Sequence, residues 1–199
     1  MKRLCLASNN RKKVNELQTL LAPLGIEIVP QEALGVAEAD EPHCTFVENA
    51  LEKARHAARA TGLPALADDS GLCVDALGGA PGVISARYAG EPKSDARNNE
   101  RLLADLARYP DMAQRGAHFA CVLVLLRAAD DPRPIIAEGE CHGHMLAALR
   151  GSGGFGYDPL FWIPELGKTM AELDAEEKNR ISHRARAMAQ LVQRLAPSS

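Results

Sequence analysis

Four carboxylates stand in two short runs, Asp40-Glu41 and Asp68-Asp69, and such runs suit a hard divalent cation. Magnesium takes oxygen ligands and usually only one or two protein carboxylates, leaving the rest of its shell to water and phosphate oxygens. Asp68-Asp69 follows Ala65-Leu66-Ala67, which reads as a short strand, and α/β sheets place ligands at strand ends. Side chains alternate along a strand, so only one of the two aspartates should point into a site. With Ser70-Gly71 after them, the same aspartates also suit an ordinary turn; the residues alone leave both readings open.

Other stretches could hold the anionic partner of such a cation. Ser8-Asn9-Asn10-Arg11-Lys12-Lys13 lies between a strand and a helix. Backbone N–H groups at a helix start attract phosphate, and a first-turn lysine adds a full charge. The stretch lacks the G-x-x-x-x-G-K-[ST] pattern of a Walker A loop, and it could equally be a solvated basic turn. On the helix that begins at Thr45, Asn49, Lys53 and His56 fall at i, i+4 and i+7 on one stripe, which works chemically only if that face is covered. Gly151 to Pro159 combines Gly151, Gly153, Gly154 and Gly156 with Phe155 and Tyr157, a pattern for close backbone approach beside a stacking surface. Glu177 to Arg184 offers Lys178, Ser182, His183 and Arg184 at the start of the last helix. Lys178 and Arg184 suit phosphate or base oxygens.

The elements that must position these residues follow from periodicity and breakers. Arg3 to Ala7 is an apolar strand, and Val14, Leu17, Leu20 and Leu21 mark one helix face that Pro23 and Gly25 end. Ile26 to Val29 is a second strand. Thr45-Phe46-Val47-Glu48 has the capping-box pattern, and the helix it opens runs to Thr61, with Gly62 as its stop. Ser94 or Asp95 caps a helix carrying Leu102, Leu103 and Leu106. Phe119 to Leu126 is nearly continuous in apolar residues, as a strand covered on both faces would be. Pro134 to Cys141 and Leu160 to Ile163 are further strands, and the last helix spans about Glu176 to Leu195. Helices alternate with strands early and strands cluster late, which predicts an α/β fold with a mixed sheet.

The bulk properties narrow the class. A chain of 199 residues with 46% hydrophobic residues can bury a sizeable core as one domain. The net charge of −3 offers no field for nucleic acid, and no stretch reaches the length of a membrane-spanning helix. Five cysteines without a C-x-x-C pair suit free thiols in a reducing cytoplasm rather than a disulfide framework. Cys141-His142-Gly143-His144 alternates like a strand and lacks the second ligand pair of a zinc site.

Taken together the chemistry-bearing stretches resemble the inosine triphosphate pyrophosphatase family. The resemblance rests on Ser8-Asn9-Asn10 with Lys13, Thr45 to Ala50 with Lys53-Ala54, Ala67 to Leu72, Leu77 to Gly82 with Ser85 to Tyr88, Gly153 to Pro159, and Glu177-Lys178 with Ile181 to Arg184. It covers nearly the whole chain, and the order and spacing of the six pieces make it specific. The loop Asp40-Glu41-Pro42-His43-Cys44 departs from the family's acidic-Thr-Gly pattern, although a carboxylate is kept. The resemblance implies a long mixed β-sheet with flanking helices, two lobes around a deep substrate cleft, a single pyrophosphatase domain over 1–199, a homodimer and a magnesium requirement. It implies that Ser8, Asn9, Asn10, Arg11, Lys12 and Lys13 contact the triphosphate. Glu41 and Asp69 would hold Mg2+, with Asp68 as a further candidate ligand, Asp69 would also be the general base, and Lys53 would stand by the phosphates. Ser70, Phe155, Gly156, Tyr157, Asp158, Lys178, His183 and Arg184 would form the nucleoside pocket.

The expected activity is hydrolysis of the non-standard purine triphosphates of inosine, deoxyinosine and xanthosine to the monophosphate and pyrophosphate, by water attacking the α-phosphorus. This would keep those bases out of DNA and RNA. Three rivals fit parts of the pattern: a pyrophosphatase preferring pyrimidine or standard triphosphates, a binding module without catalysis, and a nucleic-acid-binding protein. The full carboxylate set counts against the second, and the negative charge against the third.

Overall fold

The computed structural model describes residues 2–195. Seven strands form one mixed sheet in the order β2-β1-β3-β4-β5-β6-β7, with helices flanking it. The strands are β1 (Arg3–Ala7), β2 (Glu27–Pro30), β3 (Ala65–Val74), β4 (Gly116–Leu126), β5 (Ile135–Met145), β6 (Phe161–Ile163) and β7 (Lys168–Thr169). The helices are α1 (Arg11–Leu21), α2 (Phe46–Thr61), α3 (Asp95–Leu106), α4 (Ala175–Ile181) and α5 (His183–Leu195). β1 runs parallel to β2 and β3, whereas β6 is antiparallel to β5 and β7. The α/β class and the mixed sheet expected from the sequence are therefore observed. Among the described residues no helix is long and apolar enough to cross a membrane.

The chain divides into two compact units. The first takes the residues up to Asp69, Cys121–Gly139 and those from His183 on; the second takes Ser70–Ala120 and Glu140–Ser182. In the first unit strand alternation sorts the apolar side chains into two cores. Leu4, Leu6, Leu66, Cys121, Leu123 and Leu125 pack with Val14, Leu17 and Leu21 of α1 and Ala187, Met188 and Leu191 of α5. Cys5, Ala7, Ala65, Ala67, Val122, Val124 and Leu126 pack with Ala50, Ala54, Ala57 and Ala58 of α2. β4 is thus apolar on both faces because both are covered. The alanine face lets α2 lie close to the sheet, which draws its polar neighbours Asn49 and Lys53 inward. On the other side Gly139 is needed for contact: a Cβ there would stand 2.2 Å from the His183 carbonyl and 2.3 Å from the Ala187 amide nitrogen.

The second unit packs Leu72, Val74, Leu102, Leu106, Phe119, Met145, Tyr157, Leu160 and Phe161 into its own core. Phe119 and Phe161 meet with ring centroids 4.6 Å apart.

Three local expectations are corrected. β3 does not stop at Ala67 to make an aspartate turn; it continues to Val74. Aspartate disfavours strands, but here each carboxylate finds cationic partners on its own side of the sheet. The last helix is not continuous: Ser182 is extended at ψ 155 and separates α4 from α5. Helical spacing therefore does not group Lys178 with His183. The strand expected at Pro134 to Cys141 runs on to Met145.

Candidate active site

In the first unit, Asn10 caps α1. Its side-chain oxygen accepts from the Lys12 and Lys13 amides at 3.1 and 3.2 Å, and the Ser8 hydroxyl accepts from the Asn10 amide at 3.3 Å. An asparagine at this position replaces the orphan first-turn bonds with its own oxygen. Asn9 is fixed from β2's end, where the buried Gln31 donates to its oxygen at 2.9 Å. Arg11 and Lys12 are exposed at the helix start, and Lys13 is half-buried. The positive end of the helix thus gathers the exposed Arg11 and Lys12 side chains beside Lys13, an arrangement suited to an anion.

Asp68 faces this helix. It is fully buried, and its oxygens accept from Lys13 Nζ at 2.7 Å, Arg184 Nε at 2.8 Å and Cys121 Sγ at 3.1 Å. Arg184 also pairs with Glu16, one turn beyond Lys13. Burial alone would raise the Asp68 carboxyl, but Arg184 and then Lys13 hold it well below the usual aspartate range. The same burial, with Asp68 beside it, pushes the Cys121 thiol far up and keeps it protonated as a donor.

Asp69 points to the opposite side of β3. Its Oδ1 accepts from Lys53 Nζ at 2.8 Å, and the same ammonium donates to Glu41 Oε1 at 2.6 Å. The other oxygen, Oδ2, is buried and has no hydrogen-bond partner among the described residues. Burial raises the Asp69 carboxyl above its ordinary value, against the pull of Lys53. Burial would lower Lys53, but Asp69 and then Glu41 outweigh it and keep the ammonium charged. Asn49, wholly buried on α2, accepts from the His43 amide at 3.0 Å and donates to the His43 carbonyl at 3.1 Å. That two-point hold fixes the loop bearing Glu41. Asp40 instead lines a cavity of about 390 Å3 with Glu38, Pro42, His43, Glu52 and His56. Of the two loop carboxylates, then, Glu41 is the one that shares a lysine with Asp69.

In the second unit, Phe155, Asp158 and Lys178 come together. Asp158 Oδ2 accepts from the Phe155 amide at 2.9 Å and from Lys178 Nζ at 3.0 Å. The Lys178 ammonium stands 4.7 Å from the Phe155 ring centroid, within cation–π range. The Tyr157 hydroxyl donates to the Ser85 carbonyl at 2.8 Å in the core. Ser70, half-buried, follows Asp69 directly along β3.

The expected set therefore falls into three constellations: Lys13 with Asp68 and Arg184, Lys53 with Glu41 and Asp69, and Lys178 with Phe155 and Asp158. Arg184 was expected in the nucleoside pocket, but it is only 1% exposed and bound to two carboxylates of the first unit. His183 is buried beside it at the start of α5. Sequence reasoning missed Glu16, Gln31 and Cys121. Only Glu16 left a trace, at i+3 from Lys13 on one helix.

A cation fits the centre at Asp69. A buried carboxylate oxygen without a partner is costly unless something satisfies it, and Glu41 stands across the shared lysine. Among the described residues no three or more His, Cys, Asp and Glu side chains group to hold a metal, so the remaining ligands would have to be water and phosphate oxygens, the habit of magnesium. The Cys141–His144 stretch makes no such site: Cys141 is buried, whereas His142 is exposed and bonded to Glu140 at 3.0 Å.

An α/β sheet carrying a cationic helix start and a buried carboxylate–lysine centre defines a protein of the phosphate-handling class. The chain belongs to the Ham1 family, whose model matches residues 4–194. It is 64% identical over 198 residues to a dITP/XTP pyrophosphatase of Ralstonia nicotianae, covering 98% of this chain and 97% of that one. It is 66% identical over 194 residues to a dITP/XTP pyrophosphatase of Aromatoleum aromaticum, covering 98% and 96%. Its fold matches the solved structure of a HAM1 protein from Coxiella burnetii with a TM-score of 0.91 at 48% identity, over 98% of both chains. The family resemblance read from the six motifs is borne out.

Proposed function

We propose that this chain hydrolyses the triphosphates of inosine, deoxyinosine and xanthosine to the monophosphate and pyrophosphate, and so removes these purines before they enter DNA or RNA. The observation that carries the reading is the Asp69 carboxylate, buried against Lys53 with one oxygen unpartnered. Relatives at 64% and 66% identity bearing the name dITP/XTP pyrophosphatase support it.

In this reading the α1 start and Lys13 bind the triphosphate, with Ser8 and Asn10 shaping the turn. Lys53 neutralises phosphate charge as the attacking oxygen approaches the α-phosphorus. Asp69 accepts the proton of the attacking water; burial raises its basicity toward that task. Asp69 and Glu41 would hold magnesium, which when bound screens the phosphates and stabilises the leaving pyrophosphate. Asp68 and Arg184 serve Lys13 rather than the metal or the base, since their polar atoms are committed to each other.

Phe155 supplies a ring for the base to stack on, and Lys178 supplies an N–H for the 6-keto oxygen of hypoxanthine or xanthine. Adenine would set its 6-amino donor against that donor, and a buried unpaired donor costs about 1–3 kcal/mol. A homodimer in the cytoplasm completes the reading; the five free cysteines suit a reducing compartment.

The test is pyrophosphate release from inosine, xanthosine, guanosine and adenosine triphosphates, with magnesium and with EDTA. Magnesium-dependent release from the first two alone is expected. Equal release from all four would overturn the base reading, and no release from any, by folded protein, would overturn catalysis.

A further inference from the structure

The Phe155 loop is held from a side that the family motifs do not include. Gly156, the residue after Phe155, has both of its backbone polar groups bound by α3. Its amide donates to Asp95 Oδ2 at 2.9 Å, and its carbonyl accepts from Asn99 Nδ2 at 2.9 Å. Asp95 and Asn99 are i and i+4 on the first two turns of α3, so one helix face presents an acceptor and a donor spaced for the N–H and C=O of one residue. Asn99 is only 6% exposed, and its Nδ2 also donates to the Asp95 carbonyl at 2.9 Å. The reversed amide would aim its oxygen at two carbonyls, so the observed orientation is fixed. The residue before Asn99 on α3, Asn98, donates to the carbonyls of Ser85 and Ala86 at 3.3 and 3.0 Å, and the Ser85 carbonyl also accepts from the Tyr157 hydroxyl. Both sides of the loop tip therefore lead back to the start of α3.

We propose that Asp95 and Asn99 are positioning residues that set where the Phe155 ring stands and thereby how tightly, and how selectively, the purine base is bound. The proposal rests on the reading of Phe155 as the base platform. Asp158 fixes the amide of Phe155 from within the loop, but a loop with Gly154 and Gly156 at positive φ has many other paths available. The grip on Gly156 removes them before the base arrives, so less ordering remains to be done on binding.

The test compares Asn99→Asp, Asp95→Ala, Asp95→Asn and Phe155→Ala in steady-state kinetics with inosine and adenosine triphosphates, alongside thermal melting. Asn99→Asp keeps the shape but replaces the donor with an acceptor facing a carbonyl. It should raise KM for inosine triphosphate about tenfold, the loss of one good hydrogen bond's worth of positioning, with kcat nearly kept and the inosine-to-adenosine preference narrowed. Asp95 is exposed, so Asp95→Ala keeps the core intact and should raise KM in the same way. Asp95→Asn, whose amide oxygen still accepts from Gly156, should rescue it. A merely structural staple would lower the melting temperature without changing base preference, and would overturn the proposal. So would wild-type KM in both Asn99→Asp and Asp95→Ala while Phe155→Ala raises it. If Phe155→Ala itself leaves KM unchanged, the base-platform reading fails, and the proposal with it.

Discussion

Asp68 and Asp69 are neighbours in sequence and stand on opposite faces of β3, the first 2.7 Å from Lys13 and the second 2.8 Å from Lys53. The pleat alone separates them. Asp68 is surrounded by permanent cations and a thiol donor, which favour its ionised form. Asp69 has one lysine and an unpartnered oxygen, and burial favours its neutral form. One carboxylate is thereby fitted to hold structure and the other to exchange a proton or take a cation.

Replacing Asp69 with Asn keeps the size of the side chain and removes the carboxylate proposed as the base. Turnover should fall by about 10²–10⁴, the usual worth of a positioned general base, or further if the residue also holds magnesium. The melting temperature should stay near wild type, because a raised carboxyl is not a source of stability at neutral pH. Pyrophosphate release and a thermal melt check both halves. Near-normal turnover would remove Asp69 from the chemistry.

Asp68→Asn should behave in the reverse manner. It leaves Arg184 and Lys13 without their shared counter-charge in a buried setting, a loss of about 3–5 kcal/mol. Because the folded carboxyl lies below its unfolded value, its contribution is complete above the ordinary aspartate range and declines as pH falls through the depressed folded value. The gap between wild type and Asp68→Asn in urea unfolding should thus be widest near neutral pH and close toward strong acid. A gap that stays constant with pH would mean that charge is not what Asp68 contributes.

The mixed sheet was legible in the order of the elements, and the cap at Thr45 and the breakers at Gly25 and Gly62 were legible because they are local: a capping side chain and a left-handed glycine act within one turn. The cap at Asn10 was read only as part of a polar turn. The alternation that splits Asp68 from Asp69 was also legible as a rule. The length of β3 was not, because it depends on cations that arrive from α1, α2 and α5. Arg184 looked like a pocket residue for the same reason: nothing in the sequence announces that Glu16 and Asp68 converge on it. The break at Ser182 escaped periodicity, since apolar spacing continues across it while the backbone does not.

Lys53 holds two carboxylates together, and its removal should be visible in the pH profile as well as the rate. In Lys53→Ala the Asp69 carboxyl loses the one cation that, among the described residues, lies within hydrogen-bonding range, which disfavours the ionised form and raises its pKa further. The base must be ionised to work, so the acid limb of the pH–activity curve should move to higher pH. Turnover at its optimum should drop by about 10²–10³, as for loss of one electrostatic contact to the reacting phosphate. A lower rate with an unmoved acid limb would place Lys53 on the phosphate alone and uncouple it from Asp69.

Gly154 and Gly156 both have positive φ, 72° and 61°, but they differ in what surrounds them. A Cβ on Gly156 meets nothing within 4 Å, whereas one on Gly154 would stand 2.1 Å from Asp158 Oδ2 and 3.0 Å from its Cβ. Each alanine carries the left-handed backbone penalty of about 1–2 kcal/mol, so both variants should melt earlier by similar amounts from that source. Only Gly154→Ala must also displace Asp158, the acceptor that holds both the Phe155 amide and Lys178. It should therefore melt earlier still and raise KM for inosine triphosphate several-fold more than Gly156→Ala does, because the ring and the ammonium lose their common anchor. Measuring both melts and both KM values separates the two effects. Equal KM values in the pair would show that Asp158 does not organise the base site.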